Sequence, residues 1–371
     1  MMWTLTENKD WDHLHERFSW VREMDDIPQD PVHHAEGNVA IHTQMVMEAL
    51  QQLEGFNALS PQHQELMWAA ALLHDVEKRS TTVQEADGRI TSKGHSKKGA
   101  MTARRILYME EPAPFAIREQ IVQLVRLHGQ PIWAMEKRDP VWTVIEASVS
   151  IDTQLLAMLA RADALGRISA DQADLLYRIG LFEVMCQEQD CWGKAKEFKT
   201  ANARFTYFEN PKNGPDFVPF DDFGPTVILM SGLPGAGKDT YVQQHYKDWP
   251  VINLDNIRKE HKIAATDKSG NGRVVQLAKE KARAYLRKKQ GFVWNATNTT
   301  RQMRSQLIEL FITYKAYVKL VYVEVPYEKL HGQNKGREAV VPGRAVDKLV
   351  SKLEVPAPWE AHEVIYHVKD E

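Results

Sequence analysis

The chain has 371 residues, 43% of them hydrophobic and 26% charged, and a formal net charge of −3. That length supports two or more domains with separate cores, and the composition excludes a disordered or fibrous chain. The small net charge hides an asymmetry: residues 222–371 carry 24 Lys+Arg against 17 Asp+Glu, residues 1–221 carry 23 against 33. A basic half suits polyanionic substrates. Cys186 and Cys191 match no zinc or redox spacing. No apolar run reaches membrane-spanning length and the N-terminus shows no signal-peptide pattern, so no membrane and a reducing cytoplasm are expected.

In chain order, residues 1–38 read as irregular. Val39 to Leu53 has helical periodicity, and Ser60-Pro61 caps a helix that runs to about Leu73. Thr81 to Ser92 reads as a loop. Ser96 to Tyr108, Phe115 to Leu127, Val141 to Leu165 and Asp171 to Glu188 read as helices, with no strand expected before about Arg204. Residues 1–202 are therefore predicted to be an all-α domain. From 203 to 224 the texture turns aromatic and rich in Pro, Gly, Asn and Asp, which predicts an inter-domain connection without a regular helix. Across 225–371 apolar runs (Val227–Met230, Val251–Leu254, Val293–Trp294, Val318–Val325) alternate with helical stretches. That alternation predicts an α/β domain on a parallel sheet.

The second domain is organised around Ser231-Gly-Leu-Pro-Gly-Ala-Gly-Lys-Asp-Thr240, between a buried strand and a helix. Strand, glycine-rich turn, Lys and helix make a phosphate-binding loop. Gly232, Gly235 and Gly237 let backbone N–H groups converge on phosphate oxygens, with Ala236 and Thr240 in the same run. The new helix aims its positive end at the anion, and Lys238 adds charge near the β- and γ-phosphates. ATP, or another nucleoside triphosphate, with Mg2+ is the expected ligand. Asp239 stands where a Mg2+-binding Ser or Thr is usual.

Nine of the fourteen histidines lie before residue 200, several beside carboxylates. His42, His74, Asp75 and Asp163 would supply four ligands to one divalent metal, and His95 and His128 a second, with Asp75 bridging. Such a metal generates a nucleophile from water at neutral pH and suits phosphoester hydrolysis. The order H…HD…H…H…D resembles the HD phosphohydrolase superfamily. Ala70-Ala-Leu-Leu-His-Asp-Val-Glu-Lys78 looks like that family's HDxGK segment with Glu77 in place of Gly. Lys78 would then neutralise a phosphate, and His34, in His33-His-Ala-Glu-Gly-Asn38, would contact substrate. Gly94–Ala100, Leu124–His128 and Arg161–Arg167 look like segments of the HD domain of bacterial CCA-adding enzymes. The resemblance implies hydrolysis of 2′,3′-cyclic phosphates and removal of 2′-phosphates.

In the second half, Asp255 at a strand end can take a proton from an attacking hydroxyl, and Arg258 one turn later can hold a phosphate. This DxxR, placed after the phosphate loop, resembles polynucleotide kinases. The resemblance extends to Asn295-Ala-Thr-Asn298-Thr-Thr-Arg301-Gln-Met-Arg304 and to Asn334-Lys-Gly-Arg337. It assigns substrate contacts to Asn298, Arg301 and Arg304 and a lid role to Arg337. Asn295 stands where many relatives carry Asp, and Asp239 is expected to compensate with its own carboxylate near Mg2+. Together the halves resemble a bacterial fusion of an HD phosphohydrolase to a polynucleotide kinase. The resemblance implies healing of RNA (or DNA) ends before a ligase acts. The alternatives are a nucleotide phosphohydrolase fused to a small-metabolite kinase, or an HD sensor that regulates an NTPase.

Overall fold

A computed structural model describes residues 2–264, 267–336 and 340–370. The chain divides into two compact units, one ending at Glu197 and the other beginning at Phe198.

The first unit is helical, as the periodicity predicts, and is built around the helix Pro61–Leu73. The Ser60 side chain accepts the His63 N–H at 3.3 Å, and Pro61 fills the first turn. Every residue from Leu66 to Leu73 is buried, the pattern of a helix that runs through a core rather than along one. Each large side chain there contributes about 1.5–3 kcal/mol by leaving water. Helices Val39–Gln52, Phe115–Leu127 and Thr153–Leu165 pack against it. The core helix therefore delivers His74 and Asp75 to the middle of the unit.

The structure departs from expectation in several places here. Residues 1–38 contain the short helices Trp11–Arg17 and Ser19–Arg22, which bury Leu14, Trp20 and Val21. The predicted loop holds a small antiparallel hairpin, β1 (Val83–Gln84) with β2 (Ile90–Thr91). The helix predicted from Ser96 runs from His95 to Arg105 and continues as one π turn, Ile106–Glu110. The helix predicted from Val141 to Leu165 is two, Pro140–Ser150 and Thr153–Leu165, bent by 107°. Ile151 is extended, and Asp152 caps the second helix by accepting the Gln154 N–H at 2.8 Å. Apolar residues at helical spacing on both sides mask the break, which falls at the polar stretch Ser150 to Gln154.

The second unit carries five parallel strands: β3 (Thr226–Ser231), β4 (Val251–Asn253), β5 (Phe292–Asn295), β6 (Tyr317–Glu324) and β7 (Glu363–Val368). Their order is β4-β5-β3-β6-β7. Residues 227–231 of central β3 are all buried. Strand β7 was not foreseen. Its residues are half-buried on an edge, so they show neither the apolar run of an interior strand nor clean alternation.

The segment expected to lack a helix opens with one, Ala201–Glu209, capped by Thr200. Phe205 joins the core beneath the sheet, and Phe208 stacks on Trp359 at 4.8 Å. The turn-forming residues begin only at Asn210, so the helix belongs to the second unit rather than to a connection. No single helix among the described residues is long and apolar enough to cross a membrane.

Candidate active sites

In the first unit, six residues far apart in sequence converge. His42 comes from Val39–Gln52 and His95 opens His95–Arg105. His74 and His128 close their helices as C-caps, and Asp163 lies on Thr153–Leu165. All but His95 are buried. His42 Nε2 lies 3.2 Å from Asp163 Oδ1 and 3.7 Å from Asp75 Oδ2, and His74 Nε2 lies 3.2 Å from Asp75 Oδ2. The other oxygen, Asp75 Oδ1, is 3.3 Å from His95 Nε2 and 3.9 Å from His128 Nε2. Asp75 thus divides the cluster into two donor sets, one at each oxygen.

The tautomers follow from what surrounds each ring. Nδ1 of His74 faces the Ala71 carbonyl (2.7 Å), that of His95 the Ser92 carbonyl (2.8 Å), and that of His128 the Val125 carbonyl (2.9 Å). His42 Nδ1 lies 3.0 Å from Glu36 Oε1 and 3.2 Å from the Gly166 carbonyl. Gly166 approaches the helix of His42 so closely that a Cβ would lie 2.7 Å from Val46 N. Each Nδ1–H donates outward, so each Nε2 lone pair points to the centre. His42 Nε2, His74 Nε2 and Asp75 Oδ1 are buried without a hydrogen-bond partner. Orphaned imidazole and carboxylate donors a few ångströms apart fit divalent cations. Burial works against charge on both carboxylates. Lys78 and His74 nonetheless hold Asp75, and Arg167 and His42 hold Asp163, well below the usual carboxylate range.

A cavity of about 250 Å³ adjoins the cluster, and Lys78, His34, His95 and Arg167 line it. Lys78 Nζ bridges Asp75 Oδ2 (2.7 Å) and Gln29 Oε1 (2.6 Å). Sequence reading missed Arg167, which grips Asp163 with two hydrogen bonds of 3.0 and 2.6 Å. It also missed Glu36, whose side chain is fully buried and holds His34 Nδ1 at 2.8 Å. The acidic residue between His34 and His42 was the available signal. Glu77, in place of the family's Gly, accepts from Thr102 Oγ1 (2.8 Å) and Arg79 Nη2 (3.0 Å), which ties two helices together.

In the second unit, β3 ends in the glycine-rich loop. Gly232 has φ +146°, and a Cβ there would meet the Val323 carbonyl oxygen at 2.4 Å, so only glycine fits. Gly237 precedes the helix Lys238–His245. Lys238 Nζ donates to the carbonyls of Gly232 (3.0 Å) and Leu233 (2.8 Å). Gly235, Ala236, Gly237, Lys238, Asp239 and Thr240 line a cavity of about 950 Å³ together with Asp255 and Arg258. Asn253 caps the helix Leu254–Glu260, so Asp255 does not. Arg258 Nη1 lies 2.5 Å from Asp255 Oδ1. Asn295 Nδ2 donates to Asp239 Oδ1 at 2.6 Å, which joins the two positions that depart from the family pattern. A second cavity, of about 570 Å³, shares Asp239, Asn253, Asp255 and Asn295 with the first.

Three expected substrate residues are placed elsewhere. Arg304 is fully buried and paired with Glu360 at 2.6 and 2.9 Å. It also donates to the carbonyls of Asn298 and Glu354, so it is a structural clamp. Asn298, at φ +42°, donates to the Met230 carbonyl at 2.7 Å and pins the loop to β3. Arg301 lies over the Trp359 ring at 4.2 Å, outside the cavity lining. An arginine that opens a helix, followed by another one turn later, reads alike in sequence whether it faces phosphate or a buried carboxylate. The partner here, Glu360, is 56 residues away. Arg337 lies outside the described residues.

Residues 39–168 match the HD domain family, and residues 227–356 match an AAA domain family. Over 126 residues the chain is 32% identical to the multifunctional CCA protein of Halorhodospira halophila (strain DSM 244 / SL1). That match covers 34% of this chain and 27% of the relative, so the chain spans about a quarter of the length of that protein. The first half is an HD domain of the phosphohydrolase type, and the second a P-loop kinase-like domain on a five-stranded parallel sheet.

Proposed function

We propose that the chain heals nucleic-acid ends. The second half transfers the γ-phosphoryl of a nucleoside triphosphate to a 5′-hydroxyl, and the first half hydrolyses a 2′,3′-cyclic phosphate and removes the resulting 2′- or 3′-phosphate. The observation that carries the reading is the position of Asp255, on the wall shared by two cavities. A donor against the phosphate loop and an acceptor in the neighbouring cavity would meet at its carboxylate. There Asp255 accepts the hydroxyl proton as the oxygen attacks phosphorus. Arg258, and Arg337 by resemblance, hold the phosphates. Asp239, whose carboxylate accepts from Asn295, would help to hold the Mg2+ that accompanies the nucleotide. An Asp239→Ser variant with unchanged metal dependence and rate would count against that role.

In the first half, divalent metal would be held by His42, His74, Asp75 and Asp163, with His95 and His128 on the second oxygen of Asp75. Bound there, it would supply Lewis acidity and a nucleophile from water. Lys78 and Arg167 face the cavity where the phosphate would sit. Likeness to a multifunctional CCA protein supports a nucleic-acid substrate. The products, a 3′-hydroxyl and a 5′-phosphate, are the ends a ligase joins, and the cytoplasm is the compartment we expect.

One RNA strand with a 5′-hydroxyl and a 2′,3′-cyclic phosphate tests this, given ATP, Mg2+ and a transition metal, with both ends resolved. Asp255→Ala should lose only the 5′ reaction and His74→Ala only the 3′ reaction. ATP consumption with neither end altered would instead favour a small-molecule acceptor.

A further inference from the structure

The 250 Å³ cavity of the first half is lined by unlike groups, among them the cations Lys78 and Arg167, the carboxylates Asp30 and Asp171, and an aromatic ring. Lys78 and Arg167 bring positive charge beside the histidine cluster through their pairs with Asp75 and Asp163. The ring is Trp133, which is 43% exposed. Tryptophan left half in water forgoes much of its burial energy. Its position is nevertheless fixed. It closes the short helix Gln130–Trp133, and the Arg178 guanidinium lies over the ring at 5.1 Å. Arg178 is itself held by Asp174 (2.6 Å) and by Glu136. An aromatic ring held by a cation over its face thus lines the same cavity as Lys78 and Arg167, whose charges suit a phosphate.

We propose that Trp133 is the platform on which the base of a single terminal nucleotide stacks, while its 2′- or 3′-phosphate lies against Lys78 and Arg167. The proposal rests on the end-healing reading and names the substrate feature that the first half recognises. The volume lies below the usual range for drug-sized ligands, which suits one nucleoside phosphate and excludes a duplex. Stacking uses the π-face that every base has, so the subsite is predicted to accept any of the four bases. Loss of one stack corresponds to about a 5- to 150-fold weakening.

The test compares wild type, Trp133→Ala and Trp133→Phe as full-length, metal-loaded protein. The kinetic probes are a nucleoside 2′,3′-cyclic monophosphate and base-free glycerol 1,2-cyclic phosphate. The binding probes are a nucleoside 3′-monophosphate and inorganic phosphate. The difference between variants isolates this cavity from the phosphate-loop cavity. In Trp133→Ala the preference in kcat/KM for the nucleotide over the base-free ester should fall about 5- to 150-fold. The preference in Kd for nucleotide over phosphate should fall likewise, and Trp133→Phe should recover most of both. Equal losses on both probe classes, or none, would overturn the proposal. The two readings fail separately. Trp133-dependent nucleotide binding without hydrolysis would sink end healing and keep the platform. End healing with no Trp133 effect would do the reverse.

Discussion

The two halves hold their chemistry in opposite ways. In the first, Asp75 has a side chain 2% exposed and lies among four histidines and a lysine. In the second, Asp255 has a side chain 54% exposed on the wall of an open cavity. The first site is part of a hydrophobic core, because it follows directly on a helix whose last eight residues are all buried. The second sits beyond the ends of parallel strands, where the sheet supplies rigidity and the glycine-rich loop and the helices after β3 and β4 supply the functional groups. A buried charged cluster ties reactivity to stability, whereas a strand-end site can lose its reactive group and keep its fold.

Two substitutions should separate these regimes. Asp255→Ala should slow phosphoryl transfer by about 10²–10⁴-fold and leave thermal unfolding in place. Asp75→Ala should abolish phosphohydrolysis and destabilise the first half by about 3–5 kcal/mol, because Lys78 loses its countercharge in a buried site. Calorimetry of both variants decides it, and equal shifts in the melting transitions would break the contrast. Arg304→Ala sharpens it from the other side. Although it was expected to bind substrate, its loss strands Glu360 and should destabilise the second half by about 3–5 kcal/mol. A raised KM at unchanged stability would restore the substrate role.

What the sequence revealed follows the same division. The glycine-rich loop is a local motif whose spacing is its geometry, so its strand, turn and helix were legible. The histidine set was legible because His74 and His128 close their own helices, His74 after a buried apolar run. Glu36 and Arg167 were not. Their partners are close in sequence, Asp163 four residues before Arg167 and His34 two before Glu36, but a charged residue in a polar stretch looks like solvent-facing chain. Arg304 misled for the mirror reason, and the break at Ile151-Asp152 was hidden because both flanking helices carry apolar residues at helical spacing.

A smaller effect concerns pH. His362 is buried among Phe205, Tyr317 and Phe223, and its Nδ1 accepts the Val318 N–H at 3.1 Å. Burial lowers its pKa from 6.5 to about 4. Between these values the unfolded chain binds a proton that the folded one refuses, so stability rises with pH. The contribution is complete above about pH 6.5 and lost by about pH 4, amounting to at most ~3 kcal/mol. His362→Asn retains an acceptor for Val318 and removes the titration. Its stability should be flatter across that window, measured by denaturant midpoints at several pH values, and an unchanged slope would reassign the effect.

The smallest expected effect tests how far the buried regime extends beyond the ligands. The Glu36 carboxylate accepts from His34 Nδ1 (2.8 Å), His42 Nδ1 (3.0 Å) and Ile168 N (2.9 Å). Burial opposes its charge, yet the hydrogen bonds from both histidines hold the carboxyl below its ordinary range. It fixes the His42 tautomer that directs Nε2 at Asp163 and Asp75. In Glu36→Ala only the Gly166 carbonyl remains for that N–H, so the ring loses its main anchor. Glu36→Gln keeps the shape but brings an amide N–H2 toward groups that are all donors, so it should fall between. Competition with a chromophoric chelator should show metal affinity weakened about 10–100-fold in Glu36→Ala. Unchanged affinity would mean that the carboxylate only fastens its loop to Ile168. The histidine cluster would then be organised by backbone carbonyls alone, as His74, His95 and His128 already are.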